Sequence, residues 1–257
     1  MTGLVPLLRK ELLESWRTRR LPVAIVLFLG VGILSPLTAR YLPDILEVTL
    51  GDQVSIPLPP PTAADSIAQL QKNLGQFGAL IAIALAMGSV AAEKDRGTAA
   101  FILTKPASRG SFLGAKLVTL WLVLLLATVA GVLVGWAYTA ILFEPLPLGG
   151  WLALAELTWL SLAAWASVTF LASTLTRSMA AAAGLGFTIL IGLSLVAAIP
   201  PLTRFLPAGL DLPASQLALG QVDGVDWARL GTAVGGTLAL IAGAVVGSWL
   251  AFRRQEL

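Results

Sequence analysis

The chain has 257 residues, of which 57% are hydrophobic and only 12% charged, with a mean hydropathy of +0.86 and a formal charge of +3. A water-soluble domain carries about 25% charged residues, so this chain is too poor in charge to cover itself in water and reads as a membrane protein. It contains neither cysteine nor histidine, which excludes disulfides, thiol nucleophiles, Ser-His-Asp triads and histidine-held zinc or haem.

Residues 1–20 come first and read as a cytoplasmic connecting segment. Leu4, Leu8, Leu12 and Trp16 recur every fourth residue, while Arg9, Lys10, Glu14 and Arg17 fall elsewhere on the wheel, the pattern of an amphipathic helix lying in the membrane interface against lipid headgroups. About twenty residues before the first apolar run, with no A-x-A-like site after it, argue against a cleavable signal. Six stretches then have the roughly 20 apolar residues that a bilayer core requires: Leu21–Tyr41, Asn73–Ala92, Phe112–Leu142, Trp151–Leu175, Met179–Ile199 and Leu230–Phe252. The expected fold is an all-α polytopic membrane protein, with residues 21–257 forming one six-helix transmembrane domain.

Thirteen of the 17 basic residues lie on one side of these spans, leaving Arg40, Lys72, Arg204 and Arg229 on the other. By the positive-inside rule both termini are cytoplasmic, and the segments near 42–72 and 200–229 are extracytoplasmic loops. In the first loop, Pro57 and Pro59–Pro61 oppose a helix, but Thr62 with Asp65 three residues on resembles a capping box. A helix starting there could run unbroken into span two.

The spans are nearly free of ionisable groups. Glu156 is the clear exception, flanked by Trp151 and Trp159; it either snorkels to the interface or serves a substrate or gating role. Along span six, Gly231, Gly235, Ala239, Gly243 and Gly247 repeat every four residues, a smooth ridge that permits close backbone approach. Helix packing within the subunit is the first reading of this ridge and a dimer seam the second. Gly131 and Gly135 form a shorter pair in span three. The fourteen acidic residues show no EF-hand spacing, so no metal or cofactor is expected on this chain, and nothing points to nucleic acid.

The cytoplasmic connector between spans two and three holds the densest signal. Glu93, Lys94, Asp95 and Arg96 crowd the membrane exit, Gly97 can break the helix, and Thr98 opens a short apolar turn. Phe101, Ile102 and Leu103 need burial in lipid or in a protein partner, and Pro106 ends the turn before Arg109. The run EKDRGTAAFILTKPASRGSFLGAKL resembles the signature of type-2 ABC transporter permeases, as does Arg9-Lys10-Glu11-Leu12 ahead of Arg19-Arg20. Within that class the chain is also similar to the permease linked to nitrous-oxide-reductase maturation.

The resemblance implies a permease subunit, paired as a homodimer or heterodimer in a prokaryotic cytoplasmic membrane, resting on a separate ABC ATPase that holds ATP and Mg. It implies that residues 98–104 form the coupling helix and Glu93–Arg96 a charged relay, with export as the direction of movement. No GxxxxGK[ST] phosphate loop is present in this chain. The alternative is a scaffold that transmits force from the ATPase to an extracytoplasmic partner without transport. A membrane-embedded enzyme is disfavoured by the lack of a nucleophile–base pair.

Overall fold

The computed structural model describes residues 3–50, 59–95, 97 and 108–255, with the backbone alone at 46–50, and among these residues no strand occurs. An N-terminal helix, α1 (Leu4–Arg17), precedes six helices long and apolar enough to cross a membrane. These are α2 (Arg20–Leu50), α3 (Ala63–Met87) with its short continuation α4 (Ala91–Asp95), α5 (Arg109–Leu142), α6 (Leu148–Leu175), α7 (Met179–Ala197) and α10 (Trp227–Arg253). The all-α, six-span architecture expected from composition is therefore present.

Two boundaries differ from the sequence reading and one agrees with it. α2 continues to Leu50 rather than stopping near Tyr41, because it accommodates Pro36 and Pro43 internally; each proline removes one backbone bond, which a helix packed against neighbours tolerates. α3 begins at the capping box: Thr62 Oγ1 accepts from the Asp65 N–H at 3.4 Å while the Asp65 carboxylate accepts from the Thr62 N–H at 2.8 Å. From there it runs unbroken into span two, as that motif suggested. The segment expected as a loop between spans five and six is instead largely helical, comprising α8 (Pro200–Thr203), a 3₁₀ turn at Pro207–Leu210, α9 (Asp211–Ala218) and a second 3₁₀ turn at Val222–Gly224.

α6 is central, packing on α3, α5, α7, α9 and α10, while α2 packs most extensively on α5. The α2–α5 approach is set by glycine: a Cβ on Gly32 or on Gly131 would strike the backbone of the facing helix. Gly131 thus serves packing within the subunit. Phe28, Leu70, Leu74, Leu124, Leu154 and Leu162 are fully buried in the main core. Several polar groups inside the spans pair with one another, as a medium without water favours: Asn73 Nδ2 donates to Ser35 Oγ at 2.9 Å, Ser66 and Thr139 share a 2.7 Å hydroxyl contact, and Trp121 Nε1 donates to Ser167 Oγ at 3.1 Å. Thr119 Oγ1, Thr128 Oγ1 and Trp151 Nε1, by comparison, are buried without a partner among the described residues. By contrast α7 is largely exposed, with Leu185, Ile191 and Leu195 facing outward, a surface suited to lipid or another apolar partner rather than water.

The helices between α7 and α10 cap the end of the bundle distal to the termini. α9 lies on α6, where a Cβ on Gly150 would run into the Leu217 carbonyl, and Gly236 of α10 abuts the Phe205 backbone in the same way. Ser161 of α6 donates to the Pro207 carbonyl at 3.3 Å, and Gln71 of α3 donates to the Asp211 carbonyl at 2.7 Å. This cap is fastened to three of the spans.

Candidate coupling site

Both termini lie at one end of the bundle, called here the proximal end, and a charged cluster forms there. Lys116 sits two turns into α5 with a side chain only 5% exposed. Its ammonium donates to Glu11 Oε1 and Oε2 at 3.1 and 3.2 Å and to Glu93 Oε1 at 2.7 Å, and it lies 5.2 Å from the Phe112 ring centre. Burying a charge is costly unless it is paired and hydrogen-bonded, and here one ammonium joins α1, α4 and α5. On the rim, Lys10 lies 3.1 Å from Glu11, 3.3 Å from Glu14 and 3.8 Å from Glu93. Partial burial pulls the Lys10 pKa down, but the Glu11, Glu93 and Glu14 carboxylates outweigh it and leave the pKa raised.

A second set of bonds holds the bend between α3 and α4. Ser173 of α6 is fully buried; its hydroxyl accepts from the Val90 and Ala91 N–H groups at 3.1 and 2.9 Å and donates to the Met87 carbonyl at 2.9 Å. It replaces the helical bonds that the bend interrupts. Lys94 donates to the Thr174 carbonyl at 2.6 Å and to Gln255 Oε1 at 3.4 Å, and Gln255 Nε2 donates to the same carbonyl at 2.8 Å. The tail of α6, the exit of α3–α4 and the C-terminal residues are thereby tied together.

Arg109, at the start of α5, donates to the carbonyls of Phe252, Arg253 and Gln255 at 3.3, 2.8 and 3.1 Å. A guanidinium there satisfies the last carbonyls of α10 and meets the negative end of its dipole. Phe112 and Phe252 stack with ring centres 5.5 Å apart, closing the contact on its apolar side.

Of the connector residues singled out from sequence, Glu93, Lys94 and Arg109 enter this network, while Asp95 is exposed. Gly97 has φ +69° and its N–H bonds the Lys94 carbonyl at 3.2 Å, the left-handed helix ending that glycine favours. Arg96, Thr98, Phe101, Ile102, Leu103 and Pro106, and with them the whole proposed helix at 98–104, lie outside the described residues. Glu11, Ser173, Thr174 and Gln255 were not anticipated as site residues. A signal for one pair existed: a lysine at position 116 inside an apolar span demands a nearby carboxylate.

Two other expectations are corrected. In α1, Leu4, Leu7, Leu8, Glu11 and Ser15 turn toward protein, whereas Leu12 and Trp16, the latter 62% exposed, face outward. The expected apolar stripe is thus split, because α5 takes Leu4 beside Gly114 while pairing with Glu11, and Leu7 packs on the core. Along α10, Gly231, Gly235 and Gly243 have nothing within 4 Å of an added Cβ, Ala239 is exposed, and Gly247 alone of the ridge meets a neighbour, Leu171. Packing within the subunit instead uses the face bearing Ala233, Thr237, Ile241, Ala244, Ser248 and Phe252. Glu156 is exposed on α6 and takes no part in the proximal cluster.

Among the described residues no group of three or more potential metal ligands occurs. The arrangement has the parts for transmitting force between helices: the two ends of the 96–107 connector are each bonded to other elements.

The chain matches the description "ABC-2 family transporter protein" over residues 5–203. It is also similar to the uncharacterized transmembrane protein YxlG of Bacillus subtilis (strain 168), at 27% identity over 226 residues, covering 85% of this chain and 86% of that protein. With six apolar helices and a family match over most of its length, the chain belongs to the ABC-2 family of transporter proteins, as a multi-pass membrane permease subunit.

Proposed function

We infer that this chain is the membrane subunit of an ATP-driven exporter in a prokaryotic cytoplasmic membrane. Its termini are cytoplasmic, and a separate ABC ATPase carrying ATP and Mg docks on the proximal end. Two such permease subunits pair, as identical or related chains. Residues 98–104 form the coupling helix, with Phe101, Ile102 and Leu103 buried in the ATPase.

The observation that supports this reading is the tie at both ends of the connector. Its entry is bonded through Glu93 to Lys116, which also holds Glu11, and through Lys94 to Thr174; its exit is bonded through Arg109 to the end of α10. A push on 98–104 therefore reaches α1, α3, α5, α6 and α10 together. The scarcity of charge within the spans fits a machine whose energy enters from a partner rather than from an ion gradient.

The test is Ile102→Asp. An unpaired charge in a dry contact costs several kcal/mol, and about 3 kcal/mol weakens association more than a hundredfold. The variant is expected to reach the membrane at normal levels and to lose co-purification with the ATPase. Retention of the ATPase at wild-type yield would overturn the coupling role.

A further inference from the structure

A cavity of about 500 Å³ opens in the distal half of the bundle, between α3, α6, α7 and the cap. That volume is in the range of sites for drug-sized ligands. Its lining is mainly apolar, with Leu80, Trp165, Phe187 and Ile191, and also includes the hydroxyls of Thr158, Ser161 and Ser194, two glutamines and Asp211. The site thus sets a single carboxylate beside a large apolar surface.

Asp211 is placed there firmly. Its backbone carbonyl accepts from Gln71 Nε2 at 2.7 Å, so the residue is anchored while its carboxylate remains available. Among the described residues no hydrogen bond or ion pair reaches that carboxylate. Lys72 of α3 lines an adjoining groove with Asp211 yet makes no ion pair with it. Asp211 is an exposed residue that lines the cavity, and the protein packed around it pushes its pKa up to about 6. A carboxylate without a counter-charge beside a largely apolar cavity is complemented by a cation brought to it. One carboxylate is too few for a divalent metal, and the adjoining walls give an alkyl or aromatic group a place to lie.

We propose that this cavity binds an amphiphile whose head is a protonated amine held by Asp211 and whose apolar tail lies between α3, α6 and α7. This names the substrate class of the exporter inferred above and rests on that reading. The same chemistry occurs in a soluble long-chain amine and in a lipid with an aminoethyl headgroup.

The experiment uses the full chain in phosphatidylcholine nanodiscs, with empty discs as the partition control. The probe is a dodecyl chain bearing a dansyl fluorophore at one end and a primary amine at the other; a matched probe carries a hydroxyl instead. Saturable binding is expected, with the amine preferred by about tenfold or more, the usual range for a hydrogen bond to a charged group. Asp211→Asn should remove that preference while leaving hydroxyl-probe binding in place; the carboxylate makes no internal bond, so folding is spared. Gly75→Trp should block both probes, since a Cβ on Gly75 meets nothing within 4 Å and the residue lines the cavity. Both variants are checked for wild-type melting.

Competition by phosphatidylethanolamine added to the discs would assign the site to a lipid amine, and indifference to it would assign it to a soluble one; each supports the site. A wild-type protein with no amine preference, or an Asp211→Asn protein that keeps it, overturns the proposal. An arm with the cognate ATPase separates the two readings. Hydrolysis that proceeds without amine binding leaves the permease reading standing and this one fallen. Amine binding with no effect on hydrolysis leaves the site standing and the export reading fallen.

Discussion

Lys116→Met removes the ammonium that joins three helices and leaves a side chain of similar volume in its place. Glu11 Oε1 and Glu93 Oε1 lie 3.1 and 2.7 Å from that nitrogen, so they are no more than about 6 Å apart, where two like charges repel by about 3 kcal/mol at an effective dielectric of 20. Lys10, within 3.8 Å of Glu93 but 44% exposed, offsets part of this, giving an expected loss of about 2–3 kcal/mol. Thermal unfolding in detergent is the assay. For a chain of this size that loss corresponds to roughly 5–10 °C in melting temperature.

The control is the double variant Lys116→Met with Glu11→Gln. Once one carboxylate is neutral, the repulsion disappears and most of the loss should be recovered. Removing two unconnected contacts would instead add their costs. Unchanged melting of Lys116→Met, or strictly additive losses in the pair, would refute the buried ion cluster as the joint between α1, α4 and α5.

The six spans were legible because length and apolarity alone specify a membrane helix, and the Thr62–Asp65 cap was legible because its two bonds are local in sequence. The Lys116–Glu11 contact joins residues 105 positions apart, and no spacing rule reaches that far; only the cost of an unpaired lysine hinted at it. Ser173 was invisible for a different reason: its role depends on a bend in another helix, which the apolar run through 73–92 did not reveal. The cap was missed because helices of four to eight residues, broken by Pro200, Pro201, Pro207 and Pro213, carry no readable period. On α10 the small-residue ridge misled because the truly packed face, with Ala233, Thr237, Ala244 and Ser248, is small as well. Side-chain size marks where helices can approach, and both faces of α10 qualify.

Ser173→Ala leaves two buried N–H groups without an acceptor and should cost about 1–3 kcal/mol, with faster hydrogen exchange confined to residues 87–95; unchanged exchange there would remove Ser173 from the bend. For topology, the chain has no background cysteine, so Asp223→Cys should react with an impermeant thiol reagent on intact cells and Asp95→Cys only after permeabilisation; the reverse pattern would invert the orientation. The two faces of α10 supply the last test. A Cβ on Gly236 meets the Phe205 backbone, which cannot swing aside as a side chain would, so Gly236→Val should lower stability by about 2–3 kcal/mol through overpacking. Gly243 has nothing within 4 Å of an added Cβ, so Gly243→Leu should leave subunit melting unchanged despite the larger side chain. If Gly243→Leu alters the association state while melting holds, the ridge meets a second copy. If it lowers the melting of the isolated subunit as Gly236→Val does, the assignment of the packed face of α10 is wrong.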